Sequence, residues 1–336
     1  MRDAFIRLVW YGDGFAALLA RAVLTPVEWL YGAASLLVGA QRARQAVRTG
    51  VPTVSIGNLT VGGTGKTPIA AWVAAQLARR GRVPALLLRG YGADEQIVHE
   101  QLNPRVPVLA HPVRRASATR AVTQGATALV LDDAFQHRQL ARDADVVLVS
   151  ADLWHDLPVR LLPVGPFREP LFALRRASLL IVTRKAASPE RAEQLATLLR
   201  AAAPALPVAI AHLAPGQLRR WGGEAEEPSA AVHGQHILAV SGIGAPGAFE
   251  AQLRALGADV EAVSFGDHHA YTPADASALA ARAMRCHRVV CTLKDAVKLG
   301  PIWPADAPGL WYLSQSVVFE RGASDVHALL DRLAAR

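Results

Sequence analysis

Val61-Gly62-Gly63-Thr64-Gly65-Lys66-Thr67-Pro68 follows a short β-branched stretch that ends in Gly57-Asn58-Leu59. A strand, a glycine-rich loop and Gly-Lys-Thr at a helix start form the arrangement of a phosphate-binding P-loop. Glycines let backbone N–H groups curl around phosphate oxygens, and the helix amino terminus adds a favourable dipole. In such a loop Lys66 reaches the β- and γ-phosphates and the Thr67 hydroxyl ligates Mg²⁺. The usual first glycine falls at Thr60, so the strict consensus is not met.

Ala128-Leu129-Val130-Leu131-Asp132-Asp133 is an apolar run ending in two carboxylates. P-loop enzymes place such a strand beside the loop, where its acid supplies the hard oxygen that Mg²⁺ needs. Standing alone, the same pattern also fits a strand followed by an Asp-capped turn.

The 336 residues suggest two domains. With 51% hydrophobic and 19% charged residues, the chain is not intrinsically disordered. The net charge of +8 favours anionic partners, without choosing among nucleotides, nucleic acid and acidic membranes. Two cysteines, Cys286 and Cys291, exclude a disulfide scaffold and a four-cysteine zinc site. They read as free thiols of a reducing compartment.

Residues 1–50 stand apart. Phe5, Leu8, Phe15, Leu19 and Val23 recur at roughly helical spacing, with Trp10, Tyr11, Trp29 and Tyr31 interleaved. Arg2, Arg7, Arg21, Arg42, Arg44 and Arg48 outnumber Asp3, Asp13 and Glu28. Pro26 predicts two helices rather than one. The pattern fits helices lying on a membrane, and equally amphipathic helices packed on a core. The longest apolar stretch, Trp29 to Gln41, is too short to span a bilayer, and no cleavable signal is evident.

From residue 51 onward short β-branched runs alternate with helical segments. Strands are expected at 51–59, 84–89, 128–133, 146–150 and 179–183, and helices at 67–80 and 113–124. Alternation of this kind predicts a doubly wound parallel sheet, here a P-loop core over 51–205. The Ala/Pro-rich and acidic stretch at 206–235 reads as a linker. A smaller α/β domain follows over 236–310, with strands at 237–240, 260–265 and 289–293 and helices at 247–256 and 273–284. A strand and closing helix complete the chain at 311–336.

Two further motifs invite other chemistry. Gly242-Ile243-Gly244-Ala245-Pro246-Gly247 matches a dinucleotide fingerprint, but Pro246 interrupts it, and a tight strand-to-helix turn fits better. Asp267-His268-His269 suits proton transfer better than metal ligation, because adjacent loop residues rarely converge on one ion.

At this point the chain resembles the tetraacyldisaccharide 4′-kinase family. Residues 55–68 are similar to its P-loop, which also lacks the first glycine, and Leu88-Arg89-Gly90-Tyr91-Gly92 to its Ser-Arg-Gly-Tyr-Gly. Asp132-Asp133-Ala134-Phe135-Gln136-His137 resembles its Asp-Asp-Gly-Phe-Gln-His, and Leu162-Pro-Val-Gly-Pro-Phe-Arg-Glu169 matches a further segment. Gly242-Ile-Gly with Pro246, Phe265-Gly-Asp-His268 and Thr292-Leu-Lys-Asp-Ala-Val-Lys298 complete the set.

The resemblance implies a P-loop NTPase-like α/β fold with a second, smaller α/β domain and N-terminal amphipathic helices. It implies transfer of the ATP γ-phosphate to the 4′-hydroxyl of an acylated glucosamine disaccharide 1-phosphate. It also implies peripheral attachment to the anionic, cytoplasmic face of the inner membrane. No nucleic-acid partner is expected, because no segment resembles a reader motif and Arg is spread along the chain. By the same resemblance Gly62, Gly63, Thr64, Gly65, Lys66, Thr67, Gln136, Arg168 and Glu169 hold the nucleotide. Thr67, Asp132, Asp133 and Glu169 form the Mg²⁺ set. Asp94 of Ala93-Asp94-Glu95 is the expected general base, with His268 of the second domain as partner and Lys66 on the transferred phosphate. The chain departs from the family in a shorter loop between Gly92 and Asp94, in Ala134 for glycine and in Leu293 for glutamate. An acceptor-free ATPase or GTPase switch is the competing reading; Val182-Thr183-Arg184-Lys185 is a poor match to its base-reading motif.

Overall fold

The computed structural model describes residues 5–90, 94–154 and 159–336; Arg2, Asp3, Tyr91, Gly92 and Ala93 lie outside them. A π-helical turn (Arg7–Tyr11) precedes α1 (Phe15–Arg44). The first α/β series runs β1 (Thr53–Asn58), α2 (Lys66–Arg79), β2 (Pro84–Leu88), α3 (Asp94–Leu102), β3 (Val108–Ala110) and α4 (Arg114–Thr123). It continues with β4 (Ala128–Asp132), β5 (Ala144–Ser150), β6 (Leu179–Arg184) and α5 (Pro189–Ala202). Then come β7 (Val208–Arg220), β8 (Glu226–Pro228), β9 (His236–Ser241), α6 (Pro246–Ala255), β10 (Asp259–Ser264) and α7 (Pro273–Ala283). β11 (Arg288–Thr292), α8 (Leu293–Leu299), β12 (Leu310–Arg321) and α9 (Ala323–Ala334) close the chain.

All twelve strands form one sheet in the order β10-β9-β11-β12-β7-β6-β5-β1-β4-β2-β3, with β8 on β7. Every pairing is parallel except β12 with β7 and β7 with β8. Strands buried on both faces read as continuous apolar runs, and here alternate residues feed opposite cores. Val146 and Leu148 pack under α2 and α9, whereas Val147 and Val149 pack with Leu195 and Leu199 of α5. Each fully buried side chain of this kind is worth roughly 1.5–3 kcal/mol.

The joint between the two series positions the site. β7 pairs with β6 only as far as His212, then runs on to Arg220 beyond the carboxyl edge of the first strand set. This overhang pairs antiparallel with the start of β12, on which β11, β9 and β10 are built in parallel. The reversal turns the second series back toward the first, so the carboxyl ends of both strand sets face one cleft. Loops at those ends carry ligand chemistry in open α/β sheets.

Two expectations are corrected. The stretch at 206–235 is not a linker but contains β7, the longest strand among the described residues, which joins the two strand sets of the sheet. Its Ala/Pro composition hid a strand that is buried at its start and becomes exposed only toward Arg220. Pro26 does not divide the N-terminal segment; it sits inside one 30-residue helix. A mid-helix proline costs about 3 kcal/mol, and ties on both sides of it hold the helix. Arg21 Nε donates to the Val9 carbonyl at 2.7 Å. Buried Glu28 accepts from Arg160 at 2.6 and 2.9 Å and from the Leu161 N–H at 2.5 Å. Tyr31 Oη donates to the Arg168 carbonyl at 3.1 Å. The helix, with a mean hydropathy of 1.3 over its most apolar stretch, is long and apolar enough to cross a membrane, contrary to the sequence expectation. Glu28 interrupted the apolar run in the sequence, but in the fold its charge is matched by Arg160.

Candidate active site

The phosphate loop bridges β1 and α2. Gly65, at φ 84°, takes the left-handed conformation that starts α2, and an added Cβ would meet Leu213 Cδ1 at 2.4 Å. Thr64 is buried and pinned from two sides. Its hydroxyl accepts from Asn58 Nδ2 at 3.0 Å, and its carbonyl accepts from Thr183 Oγ1 at 2.9 Å. The segment 162–169 clips the loop from outside: Val61 N–H donates to Pro166 O at 2.9 Å and Arg168 N–H to Leu59 O at 2.7 Å. Gly62, Gly63, Lys66 and Thr67 thus sit on a cradle fixed before any ligand arrives, which limits the entropy lost on binding.

β4 lies beside β1, with Asp132 in register with Ile56. The two acids at its end differ sharply. Asp132 is buried; its Oδ2 accepts from His99 Nε2 at 2.9 Å and its Oδ1 from the Asp133 N–H at 2.8 Å. Burial alone would raise its carboxyl, but the His99 hydrogen bond and the His99 and Lys66 charges hold it below the ordinary value. Asp133 turns outward through a φ of 46°. Its carboxylate lies 3.7 Å from Lys66 Nζ and 3.2 Å from Arg168 Nη1. Arg114, almost fully buried, donates to the carbonyls of both acids, at 3.0 Å to Asp133, and so fixes this turn.

Three of the expected site residues also carry structural contacts. Both oxygens of Asp132 are already engaged, by His99 and by the Asp133 amide. Glu169 is buried with its two oxygens on Arg176 at 2.8 and 3.1 Å, and Arg176 lies 4.3 Å over the Phe135 ring. Gln136 donates its amide to the Asn58 carbonyl at 2.8 Å, so it braces β1. Asp133 is engaged as well, by Arg168 Nη1 on both oxygens at 3.2 and 3.3 Å, but its carboxylate is partly exposed and lines the cavity beside Lys66.

The second series supplies the opposite wall. His268, at φ 59°, donates its backbone N–H to the Gly242 carbonyl at 3.2 Å. The Gly242 N–H and Tyr271 Oη both donate to Asp295 Oδ1 at 2.9 Å, and Thr292 Oγ1 donates to Oδ2 at 2.6 Å. Burial raises the Asp295 carboxyl despite these donors, and burial with the Asp295 charge raises the Tyr271 phenol. The Thr292-Leu-Lys-Asp motif is therefore the brace for the loop that carries His268. Gly244 meets the phosphate loop directly: a Cβ there would lie 3.2 Å from Asp267 Oδ2 and 3.5 Å from the Gly63 nitrogen.

Asp94, the first residue of α3, and His268 line the same cavity of about 720 Å³ with Arg89, Arg114, Asp132 and Asp133. Glu95 faces Lys294 of α8 at 4.0 Å; burial raises its carboxyl and Lys294 opposes that shift. His268 also lines a second cavity of about 1080 Å³, which reaches from Gly62 to Trp10 and Arg21 of the N-terminal segment. One residue thus faces both spaces.

Sequence reasoning missed His99, Arg114 and Asp295. His99 carried no signal, because nothing in a lone histidine within α3 marks Asp132 as its partner. Asp295 stood inside a quoted motif, but its role depends on a carboxylate reaching from α8 to the turn after β9.

The model of the tetraacyldisaccharide-1-P 4′-kinase family matches residues 20–104 and 94–334. The tetraacyldisaccharide 4′-kinase of Anaeromyxobacter dehalogenans strain 2CP-1 is 41% identical, over 98% of this chain and 95% of its own. That of Nitratidesulfovibrio vulgaris is 37% identical, over 82% of this chain and 81% of its own. Among solved structures, LpxK from Aquifex aeolicus, in complex with ATP, is similar at a TM-score of 0.71 and 26% identity. That match covers 94% of this chain and 99% of the other. The two matched segments overlap at 94–104, next to the shortened loop, and the A. dehalogenans alignment runs to 367 positions against 336 residues here.

Proposed function

The chain belongs to the tetraacyldisaccharide-1-P 4′-kinase family, as an ATP-dependent lipid A 4′-kinase of lipid A biosynthesis, and we propose that the cleft between its two strand sets carries the transfer. The acceptor is an acylated glucosamine disaccharide 1-phosphate. The observation that carries the site assignment is the meeting of Asp94 and His268, from opposite walls, in one cavity with Asp133.

In this reading the loop from Gly62 to Thr67 holds the ATP phosphates, and Lys66 with Arg168 offsets the charge of the γ-phosphoryl group. Both cations now face Asp133 and exchange part of that contact for phosphate oxygens. Asp94 takes the proton of the sugar 4′-hydroxyl as its oxygen attacks the γ-phosphorus, and the bond to the ADP oxygen breaks. His268 orients Asp94 and passes the proton onward. The hard oxygens of Thr67 and Asp133 fit Mg²⁺, which when bound neutralises phosphate charge. Gly244 against Gly63 lets the walls close and exclude water, which suppresses idle ATP hydrolysis.

The exposed face of α1, with Phe15, Val23, Leu30 and Leu37 outward, enters the membrane surface where the lipid acceptor resides. Arg42, Arg44 and Arg48 at its carboxyl end meet anionic headgroups, at the cytoplasmic face of the inner membrane.

Asp94→Ala tests the assignment. Label transfer from ATP to lipid falls about 10²–10⁴-fold while ATP affinity stays unchanged. A wild-type rate removes Asp94 from the mechanism.

A further inference from the structure

At the far end of the second series, around the edge strand β10, three donor groups of different chemistry converge. His236 begins β9, Glu261 lies on β10, and Cys286 sits in the turn between α7 and β11. One imidazole nitrogen, one carboxylate oxygen and the sulfur all lie within 4.8 Å of one another, and all three residues are half-buried.

The supporting contacts prepare these atoms. Asp259, in register with His236, places Oδ2 at 2.8 Å from its Nδ1. That bond orients the ring so that Nε2 faces Glu261 Oε2, 3.5 Å away, where a cation would take the place of the proton between them. Arg282 donates twice to the other Glu261 oxygen, at 2.9 and 2.6 Å, which turns Oε2 toward the histidine. Cys286 Sγ makes a weak contact of 3.8 Å to the Arg282 carbonyl. A carboxylate behind a histidine whose second nitrogen faces further ligands is the usual outer support of a zinc-type site.

We propose that His236, Glu261 and Cys286 bind a divalent cation of the zinc class, separate from the phosphate-transfer site. Sulfur and imidazole donors favour such ions over Mg²⁺. Tetrahedral ligands stand about 3.3–3.6 Å apart, given metal bonds of about 2.0–2.3 Å, so the side chains need close by only about 1 Å. The fourth position is left to water. The bound ion ties the edge strand to β9 and to the turn before β11. The kinase residues lie at the opposite, carboxyl ends of the strands, so the cation acts as a clamp on the second series and takes no part in transfer.

Cobalt titration of the full chain tests this, with phosphine reductant and excess Mg²⁺ present. One equivalent of Co²⁺ is expected to give a thiolate-to-cobalt charge-transfer band and the visible spectrum of tetrahedral cobalt, both erased by Zn²⁺. Cys286→Ser loses the charge-transfer band while keeping wild-type kinase activity. Asp259→Asn keeps the band at saturation with affinity about 10–100-fold weaker. No charge-transfer band in the wild type, or a band that survives Cys286→Ser, overturns the proposal. Cobalt held by oxygen ligands at the phosphate loop gives no such band, so the two sites are distinguished.

Discussion

Asp132 and Asp133 are neighbours with different duties, and the difference lies in what each touches. His99 and a backbone amide commit Asp132 to the interior, whereas a φ of 46° presents Asp133 to Lys66 and Arg168. Four residues on, the motif also contains a pH-sensitive group. His137 is held down to about 4 by burial and by the nearby Arg114 and Arg142, and among the described residues its Nε2 has no hydrogen-bond partner. An unfolded histidine titrates near 6.5. Between those values the unfolded chain binds the extra proton, so stability is complete above about pH 6.5 and declines as pH falls toward about 4. Urea unfolding should therefore show a midpoint that drops between pH 7 and pH 5, with a shallower drop in His137→Asn. Equal pH slopes in the two proteins would remove His137 as the cause. The paired acids were legible in the sequence because an apolar run ended in them. Their division of labour was not, since it depends on His99 and Arg114 arriving from two other helices.

At the scale of elements, the first series follows its sequence pattern closely, because β-branched runs and glycine breaks reflect local physics. β1, β4, β6 and α2 fall within two residues of their expected bounds. α1 shows where local rules yield. Pro26 and Glu28 both argued for a break, and both are overruled by contacts to residues more than a hundred positions away. Those contacts occupy one side of the helix; the other exposes Trp29, Leu30 and Leu37 at about 70% each. Replacing Leu30 and Leu37 with Asp puts two charges on that face without touching Glu28 or Tyr31. Sedimentation with anionic vesicles should lose the double variant to the supernatant, while its circular dichroism and melting stay as in the parent. Retention on vesicles would assign membrane contact to another surface.

Over the whole molecule, the central device is β7, a strand long enough to join two parallel strand sets within one sheet. Its antiparallel ladder with β12 points the two sets at each other, and no composition rule shows this, because register across a reversal is a tertiary property. The Gly-Ile-Gly turn then has a clear use: Gly244 is the point where the second series rests on the phosphate loop. Gly244→Leu should prop the walls apart, with KM for ATP raised, kcat lowered and thermal stability nearly unchanged. A kinetically normal Gly244→Leu would mean that the walls work without approaching at this point. The measurement that bears most directly on the account is a γ-labelled ATP assay with detergent-dispersed acylated disaccharide 1-phosphate. It is run with and without the lipid, and with Lys66→Ala as control. Label should move to the lipid, only in the wild type, with little release of phosphate when the lipid is absent. ATP hydrolysis that proceeds equally without the lipid, leaving the lipid unlabelled, would contradict the kinase reading and return the fold to an acceptor-free ATPase.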